Sequence, residues 1–342
     1  MRFTTFTLVV LAFPLAASAH HSTREYDRNT VLELEGTLTQ VRWRNPHVSL
    51  AIGVENDQGG TDIWEMEGMD LASVTRQGVP SGTLQAGMIV RFAGHPSTER
   101  EHRMFVTNVL RTDGLEVLLR ANTLPRWSEN FVGGTFLEPD ASLVQVDLEK
   151  PPEGIFRVWV TAERNAEAFN NPPLTDAARL AVADIERFTS PGCRNYGMPG
   201  AMVGARVLHP VEFVERGEDI VMRMEADDIE RVFHMGSEDG AAEQPLTPLG
   251  YSTGRWDGDT LVVTTIRISE PISRIFPDGG IPQSEEVEIV ERFTLDEAEG
   301  QLSYDISITD PVNLTRTVTA SNHLIWRWRP GARVQLFDCE ER

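Results

Sequence analysis

Residues 31–68 read VLELEGTLTQVRWRNPHVSLAIGVENDQGGTDIWEMEG, and the first unit of the fold follows from them. VLELEGTLTQV (31–41) alternates apolar and polar side chains, the period of a strand with one face buried. HVSLAIGVEND (47–57) is a second strand, ended by the turn sequence Asp57-Gln58-Gly59-Gly60, and TDIWEMEG (61–68) is a third. Next, MDLASVTRQG (69–78) takes up helical spacing and closes on a glycine, which predicts a short helix. GMIVRFAGH (87–95) and MFVTNVLRTDG (104–114) supply the fourth and fifth strands. Three strands, a helix and two strands is the order of an OB-type barrel.

Residues 116–180 are punctuated by Pro125, Pro151-Pro152 and Pro172-Pro173 and read as a connector with one strand (155–161) and a helix over 175–188. From about residue 205 strand follows strand. GYSTGRWDGDTLVVTTI (250–266) is a hairpin turning at Asp257-Gly258, a strong two-residue turn signal. The expected organisation is residues 1–19 as a signal peptide, 20–115 as an OB-like five-stranded barrel, 116–180 as a connector, and 181–342 as an antiparallel barrel. That last unit reads as lipocalin-like in general form, or else as a curled open sheet. Without a sustained helix-strand alternation, a doubly wound fold is excluded. The fold class is mainly β.

The 342 residues carry 52 acidic against 31 basic side chains, a net charge of −21. Nucleic acid is therefore not an expected partner, since phosphate binding needs a basic face. Residues 1–19, MRFTTFTLVVLAFPLAASA, place a cation before an apolar run and end on an Ala-Ser-Ala cleavage signal. The expectation is export, to a periplasm or beyond the cell, with no membrane span. In an oxidising compartment Cys193 and Cys339 would pair, which the chain-entropy description values at about 4–5 kcal/mol for so long a loop.

The chain resembles a family of exported bacterial proteins of unknown function. The residues that carry the likeness are His20-His21-Ser22 just after the signal peptide, Trp43-Arg44-Asn45-Pro46-His47, GRWDGDTLVV (254–263), VERF (290–293) and the terminal DCEE (338–341). The resemblance implies an exported β-rich protein and no established activity.

Histidine carries most of the chemistry on offer. In an OB barrel the β1–β2 and β4–β5 loops lie at one end and commonly form the ligand site. His47 sits on the first loop, and His95 and His102 bracket the second. Cleavage after Ala19 would make His20 the terminal residue, its amine and imidazole a chelating pair, with His21 beside it. An arm of about 11 residues can span roughly 35 Å and so reach the same end. Amine plus imidazoles is a nitrogen set suited to copper(II). The expected function is thus a metal-binding protein, copper being the expected cofactor, with His20, His21, His47, His95 and His102 as candidate ligands; the plainer reading is a loose terminus and a turn histidine.

Trp43, flanked by Arg42 and Arg44 and followed by Asn45, is a candidate site for an anionic or sugar-like ligand, or simply one inward indole between two solvated arginines. A binding module for a small apolar or sugar-like ligand in a barrel is the alternative function, with Phe233, Trp256, Trp326 and Trp328 as possible interior lining. An enzyme is the third, acting at the histidine site or, less readily, as a serine hydrolase through Ser252. GYSTG (250–254) matches G-x-S-x-G, and Asp310 and His323 follow Ser252 in hydrolase order, but the serine runs into a hairpin rather than a helix. Glu65 and Glu67 alternate with apolar residues and are expected to face water; Asp257 and Asp259 read as turn residues. His209, His234 and His323 have no ligand-type spacing.

Overall fold

The structure is a computed structural model that describes residues 25–135, 153–182, 185, 193, 195–204, 209–236, 239–274 and 280–339. Residues 1–19, read as a signal peptide, and His20 and His21 lie outside the described residues, as do parts of the expected 175–188 helix and of the terminal DCEE.

The first unit comprises β1 (Leu32–Arg42), β2 (Ser49–Glu55), β3 (Thr61–Glu67), α1 (Leu71–Arg76), β4 (Ile89–Pro96) and β5 (Arg103–Arg111). β1, β2 and β3 form an antiparallel meander, β4 pairs with the other edge of β1, and β5 with β4. Closure comes from a parallel pairing of β3 with β5, Glu65 opposite Arg103 and Glu67 opposite Phe105. This is the OB-type barrel expected from the strand-helix-strand order. The alternation explains its filling, because Leu38, Leu50, Ile52, Met66, Phe92 and Met104 all point inward. The Asp70 carboxylate accepts from the Ser73 amide at 2.6 Å and starts α1, which buries Val74 against the core. Gly36 is required where β1 and β2 press together, since a Cβ there would lie 2.4 Å from the Gly53 carbonyl oxygen.

Two short strands, β6 (Glu116–Leu118) and β7 (Phe131–Gly133), extend the first sheet beyond β5. β8 (Val158–Arg164) belongs to the second unit. The stretch read as connector therefore gives its strands to the sheets on either side. β6 and β7 have three residues each, too few to show a period.

The second unit continues with α2 (Asp176–Val182), α3 (Gly200–Val203), β9 (Val211–Arg216), β10 (Asp219–Met224), β11 (Ile229–Met235), β12 (Tyr251–Asp257) and β13 (Thr260–Ile266). A two-strand pair, β14 (Ile272–Ser273) and β15 (Ile281–Pro282), precedes β16 (Glu288–Asp296), β17 (Gln301–Thr309) and β18 (Val318–Trp328). Nine strands close in the order β10-β11-β12-β13-β16-β17-β18-β8-β9, a barrel and not an open sheet. It departs from pure antiparallel form at one seam, where β11 and β12 run parallel after a long connection. Aromatic rings fill the interior. Phe213 meets Phe293 at 5.4 Å, and Phe293 meets Tyr304 at 4.9 Å, with Trp159 and Trp326 fully buried beside them. Of the four residues considered for this lining, Phe233 and Trp326 are buried. Trp328 is only partly buried, with the Arg157 guanidinium 4.7 Å from its ring, and Trp256 is exposed on the outer face.

Cys193 and Cys339 form a disulfide across 146 residues. It ties down the C-terminal segment, which is held by both barrels. Asp228 accepts from the amides of Phe337 and Asp338, and the Asn45 side chain donates to the Phe337 carbonyl. Glu225, fully buried, accepts from Arg76, from His209 and from the Gln335 amide. Among the described residues no helix is long and apolar enough to cross a membrane.

Candidate functional site

The parallel β3–β5 seam sets carboxylates at the end of β3 against cations at the start of β5. Arg103, nearly buried, donates to Glu65 at 3.0 Å and to Glu67 at 2.9 Å. The incoming chain is docked on the same group. Tyr26 pairs with Ser97, and its hydroxyl donates to Glu67 Oε2 at 3.1 Å. Glu25 accepts from Arg100 (2.8 and 2.5 Å) and from Ser97 (2.9 Å), and lies 3.2 Å from Arg103. Burial and the neighbouring Glu67 charge push the Tyr26 phenol up, so it stays a neutral donor. Burial also works against ionisation of Glu25, but the hydrogen bonds from Arg100 and Ser97, with the Arg103 charge, prevail and hold its carboxyl below the usual range.

That depression has a pH consequence. A carboxyl that ionises at lower pH folded than unfolded contributes stability above its unfolded pKa and loses it as pH falls through the folded value. Docking of residues 25–27 is thus expected to hold at neutral pH and weaken in acid. Amide exchange at Tyr26 and Asp27, measured down a pH series and corrected for intrinsic rates, checks this; in Glu25→Gln the acid-dependent step should be absent.

His47 completes the group from the β1–β2 connection. Its Nδ1 donates to the Gly68 carbonyl at 3.3 Å, and its Nε2 lies 3.3 Å from Glu67 Oε1. One carboxylate thus joins three separate pieces of chain: the incoming segment through Tyr26, the first loop through His47, and β5 through Arg103. The expectation that Glu65 and Glu67 both face water holds for Glu65 alone. Glu67 is 4% exposed, because Tyr26 and Arg103 cover it.

The structure does not bring the three described histidines together. His95 lies across from Phe105, which lies across from Glu67, so two strand spacings, about 10 Å, separate His95 from the His47 group. Its Nδ1 donates to the Thr30 carbonyl at 3.0 Å. His102 turns back along β3, its ring 5.2 Å from Trp64 and its Nε2 3.7 Å from Asp62. Among the described residues no group of three or more His, Cys, Asp or Glu side chains is placed to hold a metal ion. What they supply is the pair His47 and Glu67.

Trp43 is half-buried against the first core and donates from Nε1 to the Leu84 carbonyl at 3.2 Å, while Arg42 and Arg44 are exposed on either side. Asn45 is buried and structural in its contacts: Oδ1 accepts from the Leu71 amide at 2.8 Å, and the amide group reaches Phe337. The members of the hydrolase order are each bonded elsewhere. Ser252 shares a hydrogen bond with Thr265 at 2.8 Å inside the second barrel, and Asp310 accepts from Ser284 and Asn313. The His323 Nδ1 donates to the Asn165 carbonyl at 2.5 Å. Gly254 of the same motif answers to packing, for a Cβ there would meet Met235 Sδ at 2.5 Å. His209 lies between Asp70 (3.7 Å) and Glu225 (3.4 Å), and His234 stacks on Tyr251 while bonded to Asp219.

Sequence reasoning passed over Glu25, Tyr26, Arg100 and Arg103. Arg100 and Arg103 lie in the charge-dense β4–β5 loop, GHPSTEREHRM, which is of interest for its histidines, and nothing local marks Glu25 or Tyr26 until barrel closure sets the loop against β3.

Over residues 8–104 the chain is similar to a family of unknown function (DUF6152). That stretch runs from before β1 to the second residue of β5 and so includes Tyr26, His47, Glu67 and Arg103. No curated protein matches the chain.

Proposed function

We propose that the protein is an exported copper-binding protein, its site assembled from His47 and Glu67 at the end of the first barrel and from the arm that carries His20 and His21. The observation behind this reading is the bonding of His47. With Nδ1 donating to the Gly68 carbonyl, the lone pair of a neutral imidazole is on Nε2, 3.3 Å from a carboxylate oxygen. A ring nitrogen fixed on a backbone carbonyl, with its opposite nitrogen directed at a second donor, is the usual support of a ligating histidine. Bridged by a metal at about 2.0–2.1 Å from each, two such atoms subtend an angle of about 105–110°, within the range of real coordination.

The missing ligands come from upstream. Tyr26 is bonded to the same carboxylate, and His21 lies five residues before it, no more than about 17 Å of extended chain. Export and cleavage after Ala19 would free the His20 amine beside its own imidazole. Amine, imidazoles and one carboxylate favour copper(II) among the divalent ions of the first transition row. The signal-peptide pattern and the disulfide both support an oxidising, extracytoplasmic setting. His95 and His102, held about two strands and several residues away, are left out of this site.

Copper(II) titration followed by electron paramagnetic resonance tests the reading on chain beginning at His20. The expected result is one copper per chain with nitrogen hyperfine structure. His47→Ala should weaken it by at least about 100-fold, and Glu67→Gln by about 10–100-fold. Adding one residue before His20 should remove the amine signature. Equal affinity in that extended chain would overturn the amine chelate, and equal affinity in His47→Ala would overturn the site.

A further inference from the structure

The outer face of the first barrel carries a cleft of about 500 Å³, within the range of small-molecule sites, between the start of β1, the end of β4 and the loop after β6. Its polar side holds Arg120 and His95, and its apolar side Val31, Leu124 and Pro125. Leu124 is 80% exposed and Val31 43%. Isolated exposed apolar residues need no explanation, but here they line the same cleft as the Arg120 guanidinium.

Arg120, itself half-buried, differs from six other arginines of this unit. Arg91 and Arg126 are paired with Glu33, Arg100 and Arg103 with Glu25, Arg111 with Asp113, and Arg76 with Glu225. Arg120, among the described residues, is held by a 3.5 Å contact to His95 Nε2 and by the Phe105 ring 6.0 Å beneath it. His95 is fixed as an acceptor toward it, because its Nδ1 proton goes to the Thr30 carbonyl. The arginine is thus positioned by an imidazole and a ring face, and among the described residues no carboxylate is paired with it. The one acid in the cleft, Glu33, is already taken by two arginines.

We propose that this cleft binds a small organic monocarboxylate, its carboxylate on the Arg120 guanidinium and its apolar body against Leu124, Val31 and Pro125. The planar fork of arginine matches a carboxylate through two parallel hydrogen bonds. A single cation beside an apolar wall fits one negative charge with an apolar body better than it fits phosphate, which carries nearly two charges and no apolar part. The site is independent of the copper reading, since its residues include none of the ligands proposed there.

Benzoate serves as the probe, with benzamide as its neutral isostere and inorganic phosphate as the competing anion, each titrated into the full chain and read by ligand-observed NMR. Benzoate should bind in the millimolar range or tighter, weaken with added salt, and lose at least 10-fold in Arg120→Gln. Leu124→Ser, at an exposed position where the fold is not at stake, should weaken benzoate about 3–10-fold. Benzamide binding as well as benzoate would remove the role of Arg120. Phosphate binding more tightly than benzoate would overturn the carboxylate assignment, and benzoate affinity unchanged in both variants would overturn the site.

Discussion

Glu291→Gln should destabilise the second barrel by about 3–5 kcal/mol, the range for a buried ion pair that loses one partner. Glu291 is fully buried and receives Arg231 through both oxygens, at 2.8 and 2.5 Å, with the Tyr304 hydroxyl donating at 2.8 Å. Glutamine keeps the volume, so the loss measures the charge left behind on Arg231, which is itself almost wholly buried. Burial opposes that charge, but Glu291 prevails and keeps the guanidinium protonated; burial together with Glu291 holds the Tyr304 phenol far above its usual value, as a donor. Tyr304→Phe removes a single bond to an ionised acceptor and should cost less, about 1.5–3 kcal/mol. The double change Arg231→Met with Glu291→Leu takes both charges away and should recover most of the loss, since well-packed apolar replacements of buried pairs are often neutral or better. Urea unfolding followed by near-ultraviolet circular dichroism reads all three, because the interior rings pack around this pair. A Glu291→Gln loss below about 1 kcal/mol would mean that water reaches the barrel interior.

The same cluster shows what alternation reveals and what it hides. In IERVFHM (229–235) the period of two puts Arg231 on the inward face with Ile229 and Phe233, and in EIVERFTLD (288–296) it puts Glu291 inward with Ile289 and Phe293. An inward charge on each of two strands was therefore legible, and so was the hairpin at Asp257-Gly258, where Asp257 pairs with Thr260. Both barrels could be read from runs of this kind. Their pairing at the seams could not. Glu67 reads as one more polar position on β3 because its partners, Tyr26 and Arg103, are 41 and 36 residues away and arrive only when β3 closes on β5. The described histidines His47, His95 and His102 stay apart for the matching reason. Loops at one end of a barrel share a neighbourhood of ten or more ångströms, whereas a metal needs its ligands within about 2 Å, and only register decides between them. Asn45 looked like a site residue because it sits in Trp43-Arg44-Asn45-Pro46-His47. It is in fact the peg that fastens the first barrel to the C-terminal segment.

That fastening makes the disulfide the second large effect. Cys193→Ser, Cys339→Ser or the reduced protein should lose up to about 5 kcal/mol, because the bond closes a loop spanning 146 residues and such a constraint acts chiefly on the unfolded chain. The loss is not confined to loop entropy. Cys339 pairs with Asn45, and the residues before it supply the Phe337 carbonyl to Asn45 and the Gln335 amide to Glu225. Glu225 is fully buried and holds Arg76 of the first barrel, and its carboxyl sits below the usual range because the bonds from His209 and Arg76 outweigh the cost of burial. Releasing the segment lets water reach this carboxylate and removes one of its donors. Reduction should therefore expose the Leu71 amide, which the Asn45 side chain accepts, as well as the amides of residues 335–338. Hydrogen exchange with and without reductant separates the two contributions. If the loss is only entropic, the unfolding midpoint falls while exchange at Leu71 in native conditions stays as it was; if the segment also clamps the barrels, exchange at Leu71 and at residues 335–338 quickens together. The second outcome is expected, since two of the segment's anchors, Asn45 and Asp228, belong to different barrels and the disulfide fixes the segment's end between them covalently.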